Sequence, residues 1–206
     1  MTTQLTLYTN PMSRGRIARW MLEETGVPYH TEILEYDGSM KAPEYLDINP
    51  LGKVPTVVHG DQIVTECAAI CAYLAEAFPE SGLAPTASER GAYFRWLFFA
   101  AGPLEAAVTD RNVLGLEVPA DKQRMVGYGS YQTVMDALAA ALSVTPYIAG
   151  ERFTAADVYV GAQVNWGLQF GSFEHRPEFS AYADRITQRA AYRRATEMDD
   201  GTAAAQ

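Results

Sequence analysis

A chain of 206 residues is one large domain or two small ones, and at this size it folds on its own core without disulfides or a metal. Hydrophobic residues make up 48% and charged residues 20%, ordinary values for a globular protein. With 16 Lys and Arg against 25 Asp and Glu, the net charge is −9, a surface that repels a phosphate backbone and argues against nucleic acid as a partner.

The opening MTTQLTLYTN has no cationic start followed by an apolar run, so it does not read as a secretory signal. Gln4–Tyr8 is a short β-rich strand that ends at Thr9-Asn10-Pro11. From Arg14 to Thr25, Ile17, Trp20, Met21 and Leu22 recur at helical spacing, and Gly26 is the stop. Tyr29–Glu35 is a second strand, so the opening is a βαβ unit with a parallel pair. The stretch Pro43 to Asn49 is irregular or weakly helical. Gly60-Asp61 lies between TVVH and QIVT, the two-residue turn of an antiparallel hairpin. After it, Cys67, Ile70, Cys71, Leu74 and Phe78 mark an amphipathic helix. Cys67 and Cys71, four apart on that helix, suit neither a disulfide framework nor a CxxC redox pair.

Residues 79 to 88, rich in Pro, Ser and Gly, form the linker segment, and everything beyond is helical. Glu89–Val108 is one helix that Gly102-Pro103 kinks or ends. Tyr131, Val134, Leu138 and Leu142 mark a second. A third starts near Thr154, where Thr154 and Asp157 match a capping box with Phe153 as the staple. Phe179, Tyr182 and Ile186 mark a fourth, and the tail GTAAAQ is expected to be disordered. No apolar stretch approaches the ~20 residues of a membrane helix. His30, His59 and His175 are scattered, so no histidine metal site or Ser–His pair is visible. Gly127-Tyr128-Gly129 lacks the context of a dinucleotide loop, and Gly167 to Gly171 reads as a close-packing GxxxG. Arg14, Arg16 and Arg19 read as a solvated helix face, with added positive potential toward an anionic ligand as the alternative.

Four features, in order, carry a family resemblance: LYTNPMSRGRIARWMLEE, INPLGKVPTVV, Thr65-Glu66 opening a helix after the hairpin, and GERFTAADVYV. Together they make nearly the whole chain similar to the cytosolic glutathione transferases, of a bacterial, serine-type (theta- or nu-like) kind. The resemblance implies an α/β thioredoxin-like domain over 1–79, a linker over 80–88 and an all-α domain over 89–206. It also implies glutathione as co-substrate, no metal, a small hydrophobic electrophile, a homodimer, and a cytoplasmic role in detoxification.

Ser13 is the favoured thiol activator. It sits beyond the carboxyl end of the first strand at the start of a helix, where ligands and anions bind in such sheets. A hydroxyl there serves as a hydrogen-bond donor to a thiolate, or simply as a helix cap. Tyr8 at the strand end is the rival and Asn10 the third candidate. By resemblance, Pro55 is cis and exposes the Val54 backbone to the cysteinyl backbone of glutathione, while Lys53 meets the glycyl carboxylate. Glu66 takes the α-ammonium and Cys67 opens the helix that binds the γ-glutamyl carboxylate. The family carries Ser at this last position. A thiol is the poorer donor, so binding weaker by ~1 kcal/mol is expected. Met12, Trp96, Phe99 and Trp166 are candidates for the co-substrate pocket. A glutathione-dependent reductase, peroxidase or isomerase, or a non-catalytic ligand-binding relative, shares the same motifs.

Overall fold

The computed structural model describes residues 4–204. Its four-stranded sheet has the order β2-β1-β3-β4, with β1 at Leu5–Thr9, β2 at His30–Ile33, β3 at Thr56–His59 and β4 at Gln62–Thr65. β1 and β2 are parallel, and both remaining pairs are antiparallel. His59 opposes Gln62 across Gly60-Asp61, so the expected hairpin turn is present; Gly60 supplies the positive φ of 64° that such a turn needs. Helix α1 (Gly15–Thr25) makes the crossover between β1 and β2 and ends on Gly26 in the left-handed conformation. A short helix α2 (Pro43–Leu46) precedes β3, and α3 (Cys67–Ala77) follows β4.

The helical half contains α4 (Arg90–Phe99), a π-helical turn over Ala100–Leu104, and α5 (Glu105–Asn112). The expected break falls there because Pro103 has no N–H to return to the carbonyl four residues back. α6 (Tyr131–Leu142), α7 (Ala155–Gln169), α8 (Pro177–Thr187) and α9 (Ala190–Ala204) follow. At the start of α7, Asp157 Oδ2 accepts from the Thr154 N–H at 2.8 Å and its hydroxyl at 3.0 Å. Oδ1 accepts from the Ile148 N–H at 2.7 Å and the Tyr182 hydroxyl at 2.8 Å.

The chain divides into two compact units: residues up to 84 together with those from 187 onward, and residues 85–186. This differs from a helical domain running unbroken over 89–206. The reason is α9, which packs on α1 of the first unit. Arg19 Nε donates to Asp199 Oδ1 at 2.8 Å, and the side chains are 2% and 0% exposed. Arg16 pairs with Asp200 at 2.6 Å, Arg189 grips Glu24 bidentately, and Trp20 meets the Tyr192 ring edge-on. Two expectations fall with this. The Arg16 and Arg19 face is an interhelical seam, not a solvated surface. The tail is helical through Ala204, with 205–206 outside the described residues.

The glycines of the GxxxG have separate uses. A β-carbon on Gly167 would lie 2.2 Å from the Phe173 ring, so this glycine seats an aromatic residue against α7. Gly171 has open space around it and a φ of 69°, which ends the helix. Gly167→Ala is expected to destabilise the protein by about 1–3 kcal/mol, read from the urea midpoint, with Phe173→Leu restoring most of the loss.

Before α4, Glu89 Oε2 accepts from the Thr86 N–H and hydroxyl, and Arg152 Nε and Nη2 donate to the same oxygen at 3.0 and 2.6 Å. Arg152 foremost holds the Glu89 carboxyl below its ordinary 4.5. A carboxyl depressed on folding contributes stability above its unfolded value and loses it as pH falls through the folded one. The wild type should therefore be more stable than Glu89→Gln at pH 6. That margin should shrink as pH drops below about 4.5, measured by thermal unfolding at each pH.

Candidate active site

The register of the sheet gathers the first half of the site. Tyr8 of β1 opposes Thr56 of β3, and Thr56 opposes Thr65 of β4. Three segments therefore meet at one end of the sheet: the loop after Thr9, the Val54–Pro55 turn before Thr56, and the start of α3 after Thr65. This is the carboxyl end of the central strand β1, where sheets of this kind bind ligands.

The loop after β1 is organised by Asn10. Its Nδ2 donates to the Leu34 carbonyl at 2.8 Å, its Oδ1 accepts from the Met12 N–H at 2.9 Å, and the residue is buried. Asn10 is thus occupied in shaping the loop. Ser13 is half-buried; its hydroxyl donates to the Asn10 carbonyl at 2.6 Å and accepts from the Gly15 N–H at 2.9 Å. The oxygen thus caps the first turn of α1, and its proton is parked on a carbonyl. Tyr8 packs its ring against Tyr45 at 5.5 Å, in the cluster of Leu34, Met40 and Tyr45. Met12 in the same loop is exposed, and its carbonyl accepts from the Tyr36 hydroxyl.

The Val54–Pro55 peptide is cis. The turn before it is held through the Lys53 carbonyl, which accepts from the Tyr45 hydroxyl at 2.5 Å and from Asn49 Nδ2 at 2.8 Å. Burial pushes the Tyr45 phenol up from its ordinary 10, so it remains a donor. Lys41 Nζ donates to the Gly52 carbonyl at 2.7 Å, and Gly52 has a φ of 55°. The Lys53 side chain is exposed at the end of this pinned turn. Tyr45, Asn49 and Lys41 were not read from the sequence as contributors. The Asn-Pro-x-Gly run at 49–52 is the local signal for the turn, but Tyr45 and Lys41 reach it only through packing.

Glu66 is the non-glycine residue with positive φ among the described residues, at 65°. Such backbone costs of order 1–3 kcal/mol and clusters at functional sites. It precedes α3, and its carbonyl accepts the Ile70 N–H that closes the first helical turn. The Cys67 thiol points to the Arg14 carbonyl at 3.7 Å, stitching the start of α3 to the Ser13 loop. Its hydrogen is thus directed to that carbonyl, while the first N–H groups of α3, as in any helix, have no acceptor within the helix itself. Cys71 is buried, and burial holds its thiol well above the ordinary value. No group of three or more metal-ligating side chains occurs among the described residues.

The four pocket candidates divide between the units. Met12 belongs to the first. Trp96 and Phe99 lie on α4 and meet edge-on at 5.0 Å, with Trp96 only 5% exposed, and Trp166 is half-buried on α7.

A sheet with this order and register, a cis-proline turn and a helix opening at its binding end define a thioredoxin-like domain, here followed by an all-helical region. The family model for the glutathione S-transferase N-terminal domain matches residues 3–76. Glutathione S-transferase F10 of Arabidopsis thaliana is 31% identical, with 92% of this chain and 94% of that protein covered. Among solved structures, the chain is similar to the theta class glutathione S-transferase of Xanthomonas axonopodis with glutathione bound. That match has 27% identity and a TM-score of 0.74, and covers 94% of this chain and 97% of the other. It is also similar to the glutathione transferase URE2P6 of Phanerochaete chrysosporium in complex with oxidised glutathione. Here the identity is 28% and the TM-score 0.76, with 97% of both chains covered. The chain belongs to the glutathione S-transferase family, and it is a glutathione transferase. No helix among the described residues is long and apolar enough to cross a membrane.

Proposed function

We propose that the protein is a serine-type transferase of theta- or nu-like, bacterial kind that joins glutathione to small apolar electrophiles. One observation supports this reading: the pairing of Tyr8 with Thr56 and of Thr56 with Thr65, which brings the loop after β1, the Val54–Pro55 turn and the start of α3 to one end of the sheet. Val54 offers its backbone to the cysteinyl residue of glutathione as a short antiparallel pair. Lys53 meets the glycyl carboxylate and Glu66 the α-ammonium. The first N–H groups of α3 take the γ-glutamyl carboxylate, helped by the helix dipole.

The thiol then lies over the Ser13 loop. Its proton leaves to solvent, and the Ser13 hydroxyl turns from the Asn10 carbonyl to donate to the sulfur. The thiolate attacks an electrophilic carbon, a C–S bond forms, and the leaving group departs with its electron pair. Tyr8 stays packed on Tyr45, and Asn10 keeps its two loop contacts. Met12, Trp96, Phe99 and Trp166 supply apolar surface for the electrophile. The working form is a cytoplasmic homodimer with a detoxifying role.

The test is the ultraviolet thiolate absorbance of bound glutathione, titrated against pH in wild type, Ser13→Ala and Tyr8→Phe. A thiol pKa below the free value of about 8.5 in wild type, restored by Ser13→Ala and not by Tyr8→Phe, is the expected result. Restoration by Tyr8→Phe alone would move the role to Tyr8. Binding without any shift would remove the transferase mechanism.

A further inference from the structure

The last residue of β1 has a hydroxyl that the fold leaves idle. Thr9 is fully buried, and its Oγ1 has no hydrogen-bond partner among the described residues. A buried donor left unmade is costly, and a valine of the same shape would avoid the cost. The position of this hydroxyl is informative. A β-carbon placed on Gly15 would lie 1.8 Å from Thr9 Oγ1 and 2.9 Å from Ser13 Oγ. The two hydroxyls therefore crowd the same side of Gly15, at the first turn of α1.

Ser13 Oγ spends one lone pair on the Gly15 N–H and its proton on the Asn10 carbonyl. When that proton turns to a thiolate, the oxygen still has a second lone pair to fill. We propose that Thr9 is a positioning residue that donates its hydroxyl to Ser13 Oγ in the thiolate state, completing a chain from Thr9 through Ser13 to sulfur. A donor feeding the Ser13 oxygen polarises its O–H and strengthens the bond to the anion. The idle hydroxyl is then the resting state of a network that closes when glutathione binds. Gly15 is required because any side chain there would separate the two oxygens.

The inference rests on the assignment of Ser13 as thiol activator, and the experiment separates the two. Bound glutathione is titrated by its ultraviolet thiolate absorbance in wild type, Thr9→Val, Thr9→Ala and Thr9→Ser, and in Thr9→Val combined with Ser13→Ala. Binding of S-methylglutathione, which has no thiol to ionise, is measured alongside. Thr9→Val and Thr9→Ala should raise the bound thiol pKa by about half a unit to one unit, as expected for one lost hydrogen bond. Thr9→Ser should titrate like wild type. Thr9→Val should add nothing once Ser13 is alanine, and S-methylglutathione should bind wild type and Thr9→Val equally. A Thr9→Val titration that matches wild type would overturn the proposal. So would an undiminished shift in the Ser13→Ala background, or a parallel loss of S-methylglutathione binding. If Ser13→Ala shifts the titration and Thr9→Val does not, only the Thr9 role fails. If Ser13→Ala shifts nothing, both fail.

Discussion

Asp199→Leu should lower the unfolding free energy by about 3–5 kcal/mol. The reason is what remains behind. Arg19 is 2% exposed, and its Nε donates to Asp199 at 2.8 Å, while Nη1 makes two long contacts of 3.3 Å, to Tyr29 and Thr31. Removing the carboxylate strands a guanidinium in a dry seam. The pair itself is no bonus, because burial pushes the Asp199 carboxyl up against the pull of Arg19, and Asp199 Oδ2 has no hydrogen-bond partner among the described residues. Arg19→Met with Asp199→Leu should therefore recover most of the loss. By contrast Arg194 and Glu23, with the arginine half exposed, join the same two helices at a worth of about 0–1 kcal/mol. Urea midpoints of wild type, Asp199→Leu and the double variant give the comparison. Hydrogen exchange should show the Asp199→Leu loss first in α9. A double variant as unstable as the single one would mean that the seam depends on the charges themselves.

This seam also marks where the sequence was hardest to read. The hairpin was legible because Gly60-Asp61 sits between two alternating runs, and α1 because Gly26 stops a helical pattern. α9 carries no such signal. Its buried residues are Ala191, Ala195 and Asp199, a stripe at spacings of four made of two small residues and a charge. Periodicity of large apolar residues cannot register it, and GTAAAQ adds a glycine that suggests an ending. The same blindness made Arg19 look solvated, since its partner lies 180 residues away. The site was more legible than its support. Ser13, Pro55 and Glu66 lie in short runs whose order is informative, whereas the grip of Tyr45 and Asn49 on the Lys53 carbonyl exists only after α2 packs. Thr9 was invisible for another reason: its significance is a missing hydrogen bond, and no sequence pattern reports one.

Ser13→Ala should reduce kcat/KM at pH 7 by about 10–30-fold. The range follows from one charge-assisted hydrogen bond of about 1.5–3 kcal/mol, at 1.36 kcal/mol for each unit of thiol pKa, and is capped by the thiolate fraction of the free thiol at that pH. KM for glutathione should change little. Val54, Lys53, Glu66 and the start of α3 grip the tripeptide in the proposed pose, and none of them depends on the Ser13 hydroxyl. The rate should not vanish, because free thiol at pH 7 is still a few per cent thiolate and remains held beside the electrophile. The pH profile is the more demanding test. Wild type should reach its plateau at lower pH, and the variant should rise tenfold per unit until its thiol ionises. Above about pH 9 the two should converge or cross, since a more basic thiolate is the better nucleophile. Loss of the Gly15 cap contributes a separate cost in stability of about 1 kcal/mol, visible in the unfolding midpoint but independent of pH in this range. If the deficit of Ser13→Ala stayed constant from pH 6 to pH 9, the hydroxyl would act by orienting glutathione. The ionisation of the thiol would then have to come from the helix end alone.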